Sequence, residues 1–245
     1  LCGPEVILQD NKGKIIETDD VFKKTKNLLK QGAIIAIKGL GGFHIAADAT
    51  KDDVVFELRK RKKRTLKPFA IMSDTIEKIK KYAFVSKEEK NLLKSEAAPI
   101  VLLREKENNL ISKYVAEGLA HIGVFLPYTP LHYLLFDKDI TALVMTSANF
   151  AEEPIEYKNE DAFLNLKELV DYFLLHNRDI NIPADDSVIK PYNSSFVFIR
   201  RSRGYVPLPV KLNMTSKKDI IGVGALLKNT VCFIKENYAI MSQHI

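Results

Sequence analysis

Residues 38–69 read KGLGGFHIAADATKDDVVFELRKRKKRTLKPF, and this stretch decides how the rest of the chain is interpreted. It begins where an apolar run meets a glycine turn (Gly39, Gly41 and Gly42), and seven of the nine residues 59–67 are Lys or Arg. Glycine lets backbone N–H groups approach a ligand closely, and clustered Lys and Arg neutralise phosphate charge. The stretch therefore predicts a polyphosphate site, for a nucleotide or for nucleic acid.

Both halves of the stretch also have a plainer interpretation. Glycines often only permit a turn, and a run of charges on a helix is usually a solvated face. Two features favour a bound polyanion. No Asp or Glu lies within residues 59–67, so like charges on the predicted helix repel one another. Pro68 then directs the chain into a strand, and we expect the cations to point toward one place.

Composition limits the protein class. The 245 residues are 46% hydrophobic and 28% charged, which indicates one large α/β domain with an extra segment, or two small domains. No apolar run reaches the roughly 20 residues that span a bilayer, and no signal peptide is evident. Two distant cysteines, Cys2 and Cys232, favour a reducing cytoplasm. The net charge of +6 permits an anionic ligand without requiring nucleic acid. Since the chain starts without Met, we expect a piece of a longer protein.

Hydrophobic patterns and helix-capping residues predict the secondary structure. Strands are predicted at residues 5–8, 33–37, 68–72, 99–103, 122–125, 143–145, 172–176, 187–190 and 196–201. Helices are predicted from Asp19 or Asp20 to about residue 30, and at 54–63, 75–82, 87–94, 131–136 and 159–170. Because strands and helices alternate irregularly, the fold class is α/β of the α+β type. Residues 207–218 are predicted to be a linker, with a hairpin-rich second domain beginning at residues 220–230.

Three further motifs carry polar side chains beside predicted strands. Residues 146–149 (TSAN) follow a buried strand and can either cap a helix or contact a phosphate and an acyl group. Residues 185–187 (DDS) fit a metal- or phosphate-binding turn, although paired Asp residues more often cap loops. Residues 200–204 (RRSRG) form a second basic cluster, whose alternative interpretation is an exposed strand end.

Taken together, the motifs resemble a known family. KGLGGFHIAADAT, LRKRKKRTLKPFAIM, LPYTPLHYLLF, MTSANFAEEPI, HNRDI…DDSV and RRSRGYVPLP occur in the order of the HypF hydrogenase-maturation carbamoyltransferases. The resemblance covers residues 5–209 and implies the YrdC-like fold of threonylcarbamoyl-adenylate synthases, a twisted mixed sheet with helices around a concave basic cleft. It also implies three regions: the tail of a zinc-finger region at 1–4, with Cys2 its last ligand, an adenylation domain at 5–212, and a linker with the first β-hairpin strands of an Hsp70/sugar-kinase-like transferase domain at 213–245.

The resemblance implies a reaction. Carbamate, derived from carbamoyl phosphate, combines with ATP to give carbamoyl-adenylate and pyrophosphate. The carbamoyl group then passes to a cysteine thiol of a HypE-type acceptor protein. Mg²⁺ accompanies ATP, and zinc belongs to the region upstream of this chain. These expectations fit a cytoplasmic enzyme without a membrane partner.

The resemblance also assigns roles to single residues. Those implied for the nucleotide and its phosphates are Lys62, Arg64, Lys67, Thr146, Ser147, Asn149, Ser187 and Arg201. Those implied for carbamate are Lys38, His44 and Ser147, and the catalytic set is Lys38, Lys62 and Arg64. No metal-binding residues are expected. Two positions depart from the family pattern: Thr65 stands where proline is common, and Pro183 where arginine is common.

Two other functions remain open at the level of sequence. The first is a threonylcarbamoyl-adenylate synthase of tRNA modification, which HNRDI, KPFAIM and the appended GVGALLKNT segment disfavour. The second is a double-stranded RNA-binding module that uses a concave basic surface. Phe69 is the one aromatic residue close to the cations, so base stacking is not indicated.

Overall fold

A computed structural model describes residues 3–150, 153–193, 195–224 and 229–243. Helices and strands alternate irregularly along the chain, as predicted. In chain order they are β1 Val6–Asp10, α1 Val21–Gln31, β2 Ile35–Lys38, β3 Phe43–Asp48, α2 Asp52–Arg61, β4 Ala70–Met72, α3 Ile76–Ile79, α4 Lys87–Leu93, β5 Ile100–Arg104, β6 His121–Phe125, α5 Pro130–Leu134, β7 Leu143–Ser147, α6 Asn159–Leu166, β8 Tyr172–His176, β9 Val188–Tyr192, β10 Ser195–Arg200, β11 Val210–Lys211, β12 Ile220–Val223, β13 Val231–Lys235 and β14 Tyr238–Met241.

One mixed sheet forms the body of the protein. Among the described residues it has ten strands in the order β1-β8-β2-β3-β7-β4-β6-β5-β9-β10. The pairs β2–β8, β4–β6 and β5–β9 are parallel, and the remaining neighbours are antiparallel. Side chains of α2, α3, α4 and α6 belong to the larger core, while α1 and the residues after α5 belong to a second core. The predicted mixed α/β fold is confirmed.

Strand β3 was not expected from the sequence. It pairs antiparallel with β2, so the glycine turn closes a hairpin, and its other edge pairs with β7. Residues 43–47 are all buried, and a strand buried on both faces shows no alternation of apolar and polar residues. Gly41 is required by close packing, because a Cβ there would lie 2.4 Å from the carbonyl oxygen of Ala184.

A second sheet lies near the C-terminal end of the chain. Its order in the described residues is β11-β14-β13-β12, with every neighbouring pair antiparallel. The expected β-hairpin segment is confirmed. The predicted linker at 207–218 contains β11, whose Val210 and Lys211 pair with β14, so part of it is strand. The domain boundaries stay predictions, and Cys2 lies outside the described residues, as do 225–228.

No helix in the described parts of the chain has the length and apolar character needed to cross a membrane.

Candidate active site

Helix α2 delivers the basic run to the centre of the sheet. The helix starts with Asp52 and Asp53 in its first turn and ends with basic residues, an arrangement that complements the helix dipole at both ends. Lys62 is its C-cap residue. Strand β7 lies in the middle of the sheet, and the TSAN motif begins at its end. The chain leaving α2 reaches this end of β7.

Lys62 is buried against the TSAN backbone. Its Nζ donates to the carbonyl oxygens of Ser147 at 2.8 Å and Asn149 at 2.7 Å, and the residue is 3% exposed. Burial, and then the charges of Arg64 and Lys67, lowers the pKa of Lys62 to about 7. The ammonium group therefore lies near half-protonation at neutral pH, in a place where a nearby anion would favour its charged form.

Arg64 lies beside Lys62. Its guanidinium donates to the Thr146 hydroxyl at 3.1 Å and to the carbonyl oxygens of Lys67 and Pro68, and it lies over the Phe69 ring. Burial, followed by the charges of two other arginines, lowers the pKa of Arg64 to about 10. We call Lys62, Arg64 and Thr146 the cation corner. In the part of the chain that the structure describes, neither cation of this corner has a carboxylate partner.

The expectation that all cations of the basic run point to one place is wrong for two of them. Arg59 is buried and donates to backbone carbonyls, among them those of Arg64 at 3.0 Å and Val115 at 3.3 Å, so it holds the following loop in place. Arg61 pairs with Glu57 at 3.0 Å and Asp171 at 2.8 Å. Charge compensation thus comes from residues outside the run, which a local search for i,i+4 partners within it misses.

The TSAN residues form a compact hydrogen-bonded loop at the end of β7. The Ser147 hydroxyl donates to Asn149 Oδ1 at 2.9 Å, and Asn149 Nδ2 donates to the carbonyl of Glu153 at 2.6 Å. Thr146 is buried and its hydroxyl accepts from the Arg64 guanidinium. Ser147 pairs with His44 of β3 in the antiparallel register, and directly opposite residues extend to the same face of a sheet. The structure thus brings five of the predicted site residues together here.

Lys38 ends β2 and is 2% exposed. Its Nζ donates to the carbonyl oxygen of His176 at 3.1 Å. Burial lowers the pKa of Lys38, while the charges of Asp179 and Glu160 oppose that shift. Lys38 pairs with Phe43 in the hairpin, one position from His44, so its side chain extends to the opposite face from that of His44. By the same alternation Lys38 shares the face of Thr146, which pairs with Ile45, while His44 and Ser147 lie on the other face.

His44 belongs to a buried ionic cluster that the sequence did not predict. Its Nε2 lies 3.1 Å from Asp186 Oδ2, and Arg203 Nε donates to Asp186 Oδ1 at 2.8 Å. The Arg203 guanidinium lies 3.6 Å from the centre of the Tyr128 ring, which in turn contacts His132 edge-on. We call His44, Asp186, Arg203, Tyr128 and His132 the Asp186 cluster.

Charges in the Asp186 cluster compensate one another. Burial alone would raise the pKa of the Asp186 carboxyl, but the hydrogen bond from His44 and the charge of Arg203 hold it well below its usual range. Burial lowers the pKa of His132 to about 3, with His44 adding to that shift, so His132 is neutral. Arg203 also donates to the carbonyls of Ala97 and Ala98, both at 3.0 Å.

The Ser187 hydroxyl is hydrogen-bonded within the protein, whereas one donor atom of Arg201 has no partner among the described residues. Ser187 is fully buried, with its hydroxyl donating to the Arg203 carbonyl at 2.9 Å and accepting from the Ser202 N–H at 2.8 Å. It thereby joins two loops. Arg201 Nη2 donates to the Leu208 carbonyl at 2.8 Å, whereas its Nη1 is buried and has no partner among the described residues. An unpaired buried donor is costly unless a ligand satisfies it.

Arg200, which the sequence analysis did not assign to the site, adds its charge to the causes that lower the pKa of Arg64. Its Nη1 lies 3.8 Å from Asp185 Oδ1 and donates to the Asp186 carbonyl at 3.4 Å. Phe196, Phe198 and Arg200 share the partly buried face of β10, and a bulge interrupts the pairing between Phe198 and Arg200. Because successive residues of a strand extend to opposite faces, alternation along β10 would have assigned Arg200 and Arg201 to different faces. Lys67 contributes through its carbonyl, which accepts from Arg64, and its charge helps to lower the pKa of Lys62.

A family model described as Sua5/YciO/YrdC, telomere recombination, matches residues 27–202, which contain every predicted site residue. The chain belongs to the Sua5/YciO/YrdC family. A solved structure within this fold, P. abyssi Sua5 complexed with L-threonine, covers 74% of the chain and 54% of its own length, with a TM-score of 0.64 and 16% identity, which shows the shared fold.

The resemblance to HypF within the Sua5/YciO/YrdC family is confirmed. The chain is 47% identical over 98% of its length to a protein of Methanocaldococcus jannaschii named probable carbamoyltransferase HypF, and it covers 31% of that protein. It is 45% identical, with a TM-score of 0.90, to a crystal structure of full-length HypF in a phosphate- and nucleotide-bound form, covering 100% of this chain and 32% of that one. The chain thus spans about a third of the relatives it matches.

Proposed function

We propose that this chain carries the ATP-dependent step that forms carbamoyl-adenylate within a carbamoyltransferase. An oxygen of carbamate attacks the α-phosphorus of ATP. The new P–O bond forms as the bond between the α-phosphorus and the bridging oxygen breaks, and pyrophosphate leaves with that oxygen. Little covalent chemistry falls to the protein in phosphoryl and nucleotidyl transfer, so positioning and charge stabilisation carry most of the catalysis.

The single observation that carries the proposal is the cation corner. A buried Lys62 and a half-buried Arg64, neither with a carboxylate partner among the described residues, converge on the TSAN loop, where Lys62 binds the carbonyls of Ser147 and Asn149 and Arg64 binds the Thr146 hydroxyl. Each buried charge costs free energy unless it is paired. A triphosphate is the natural partner, because its oxygens accept several charge-assisted hydrogen bonds at once.

Two further findings support ATP as that partner. The buried Nη1 of Arg201 needs an acceptor that no described residue supplies. The related HypF structure is named as phosphate- and nucleotide-bound. In this proposal Lys62, Arg64 and Arg200 neutralise the charge that develops on the pyrophosphate, while Lys38 and His44 hold the carbamate. Ser187 acts indirectly: its hydroxyl connects the loops that carry Asp186 and Arg203.

Mg²⁺ enters with ATP as part of the substrate, coordinated by the phosphate oxygens. Transfer of the carbamoyl group to a cysteine of a HypE-type acceptor is proposed for the longer protein, on the strength of its similarity to HypF carbamoyltransferases. Zinc is proposed only for a region upstream of this chain.

Exchange of ³²P between pyrophosphate and ATP tests the proposal. We expect exchange that requires ammonium carbamate and is not replaced by threonine plus bicarbonate. Exchange that depends strictly on threonine would instead assign the chain to threonylcarbamoyl-adenylate formation. Salt-sensitive binding of double-stranded RNA, without ATP binding, would reject both adenylation activities.

A further inference from the structure

We propose that Asp186 and Arg203 are positioning residues that hold His44 in one tautomer, with Nε2 protonated, so that Nδ1 accepts a hydrogen bond from the amino group of the carbamoyl substrate. The inference rests on the proposed function for its substrate. The tautomer itself follows from the geometry of the Asp186 cluster alone.

The first step concerns the proton between His44 and Asp186. The Asp186 carboxylate is ionised and therefore only accepts hydrogen bonds. Its Oδ2 lies 3.1 Å from His44 Nε2, so that nitrogen must carry the proton. A neutral imidazole with a protonated Nε2 has a lone pair at Nδ1.

The second step concerns what holds Asp186 in place. Arg203 Nε donates to the other carboxylate oxygen at 2.8 Å, and its two Nη atoms donate to the carbonyls of Ala97 and Ala98. All three guanidinium nitrogens thus have partners, and stacking on Tyr128 fixes the plane of the group. Asp186 therefore cannot rotate away from His44 without leaving Arg203 unpaired.

The third step concerns the free end of the imidazole. Nδ1 of His44 is buried and has no hydrogen-bond partner among the residues that the structure describes. It faces Gly39, where a Cβ would lie 3.1 Å from Nδ1 and 2.9 Å from the Gly42 carbonyl oxygen, so only a residue without a side chain fits beside this acceptor. Ser147, opposite His44 in the sheet, extends to the same face.

The chemistry of this acceptor matches an unsubstituted carbamate. The H₂N group of carbamate has two N–H donors and no strong acceptor, whereas its oxygens are needed for attack on phosphorus. The lone pair at Nδ1 accepts a hydrogen bond from the amino group of carbamate. This contact orients the carboxylate of the substrate toward ATP. The backbone at Gly39 leaves no room even for a Cβ, which would lie 2.9 Å from the Gly42 carbonyl oxygen, so a bulky substituent on the carbamate nitrogen is disfavoured beside Nδ1. His44 would therefore select H₂N–COO⁻ over N-substituted carbamates.

Nitrogen-15 NMR of the histidine side chains tests the tautomer on the whole chain without any substrate. The chain has five histidines, and the His44 signals are assigned by their loss in His44→Gln. We expect a protonated Nε2 and an unprotonated Nδ1 in the unaltered protein, and a shift toward the Nδ1-protonated form in Asp186→Asn. Asp185→Asn is the matched control, because Asp185 pairs with Arg200 and should leave the His44 spectrum unchanged. Protonation of His44 at Nδ1 in the unaltered protein overturns the proposal.

Steady-state pyrophosphate exchange tests the role of Nδ1. A glutamine amide nitrogen can replace Nε2, and an asparagine amide oxygen can replace Nδ1. We expect His44→Gln to raise the KM for ammonium carbamate about tenfold, the value of one lost hydrogen bond, with the KM for ATP unchanged. His44→Asn should recover most of that loss. Equal carbamate KM values for the two variants overturn the binding role. Absence of carbamate-dependent exchange in the unaltered protein overturns the proposed function. The NMR experiment needs no substrate, so it tests the His44 tautomer independently of that result.

Discussion

The cation corner and the Asp186 cluster both hold charged side chains that are wholly or partly removed from solvent, yet their charges are arranged in opposite ways. In the Asp186 cluster each ionic group has its partner: Asp186 lies between His44 and Arg203. In the cation corner Lys62 and Arg64 repel each other and bind only carbonyl and hydroxyl groups. Compensated charge indicates a group that holds the protein together, and uncompensated charge of one sign indicates a group that awaits a ligand of the other.

The largest effect is expected for removal of Asp186. Asp186→Ala leaves Arg203 buried without a counter-charge, and we expect a loss of about 3–5 kcal/mol in the free energy of unfolding. Glu57→Ala is the control, because the Glu57–Arg61 pair is partly exposed and should contribute less than about 1 kcal/mol. Urea denaturation measures both. Equal losses would show that the Asp186 cluster does not act as a buried ionic unit.

Removal of Arg64 is expected to act on ligand binding instead of on folding. Arg64→Ala should weaken ATP binding by about 10- to 150-fold, the value of a charge-assisted hydrogen bond of about 1.5–3 kcal/mol. Arg61→Ala should leave ATP affinity unchanged, since Arg61 pairs with Glu57 and Asp171. Calorimetric titration with MgATP measures both affinities. An unchanged affinity in Arg64→Ala would remove the cation corner as the nucleotide site.

ATP affinity should also depend on pH through Lys62. The pKa of Lys62 is about 7 in the free protein, and a bound triphosphate raises it. Binding therefore takes up a proton near and above pH 7, and affinity falls as pH rises, by at most about tenfold per pH unit. Calorimetry in buffers of different ionisation enthalpy measures the proton uptake. Lys62→Gln should abolish this uptake, and its persistence would assign the proton to another group.

The smallest effect is expected for Thr146→Val. The substitution keeps the shape of the side chain and removes the hydroxyl that accepts from Arg64 at 3.1 Å. A net hydrogen bond contributes about 1 kcal/mol, so ATP affinity should fall about fivefold. Thr146→Ser restores the hydroxyl and should restore affinity. If Ser and Val behave alike, Arg64 does not depend on Thr146 for its position.

Local sequence signals predicted the elements whose causes are local. Asp20 caps α1 by accepting from the Lys23 N–H, and Ser86 forms a capping box with Glu89. Strand β3 escaped prediction because burial on both faces erases its alternation, and because His44 and Asp48 interrupt the kind of apolar run that identified the equally buried β2. The motifs of the cation corner were found because each is compact in sequence.

The Asp186 cluster could not be found in that way. His44 and Asp186 are 142 positions apart, and Asp186 and Arg203 are 17 apart, so no spacing rule connects them. These residues come together because of the order of strands in the sheet, and local sequence patterns do not encode that order. Arg201 stays a predicted phosphate contact. Alternation along β10 places its neighbour Arg200 on the face of Phe198.

The distance in sequence across the cation corner has a consequence for folding. Lys62 bonds to residues 85 and 87 positions later, so its contacts form only after a long loop has closed. Contacts of such separation form slowly, and the unfolded chain offers ATP no assembled site. The nucleotide would therefore stabilise the native state by mass action, by about 2.7 kcal/mol at a hundredfold excess over Kd. A shift in melting temperature on adding ATP then reports that the whole sheet, rather than one loop, has assembled.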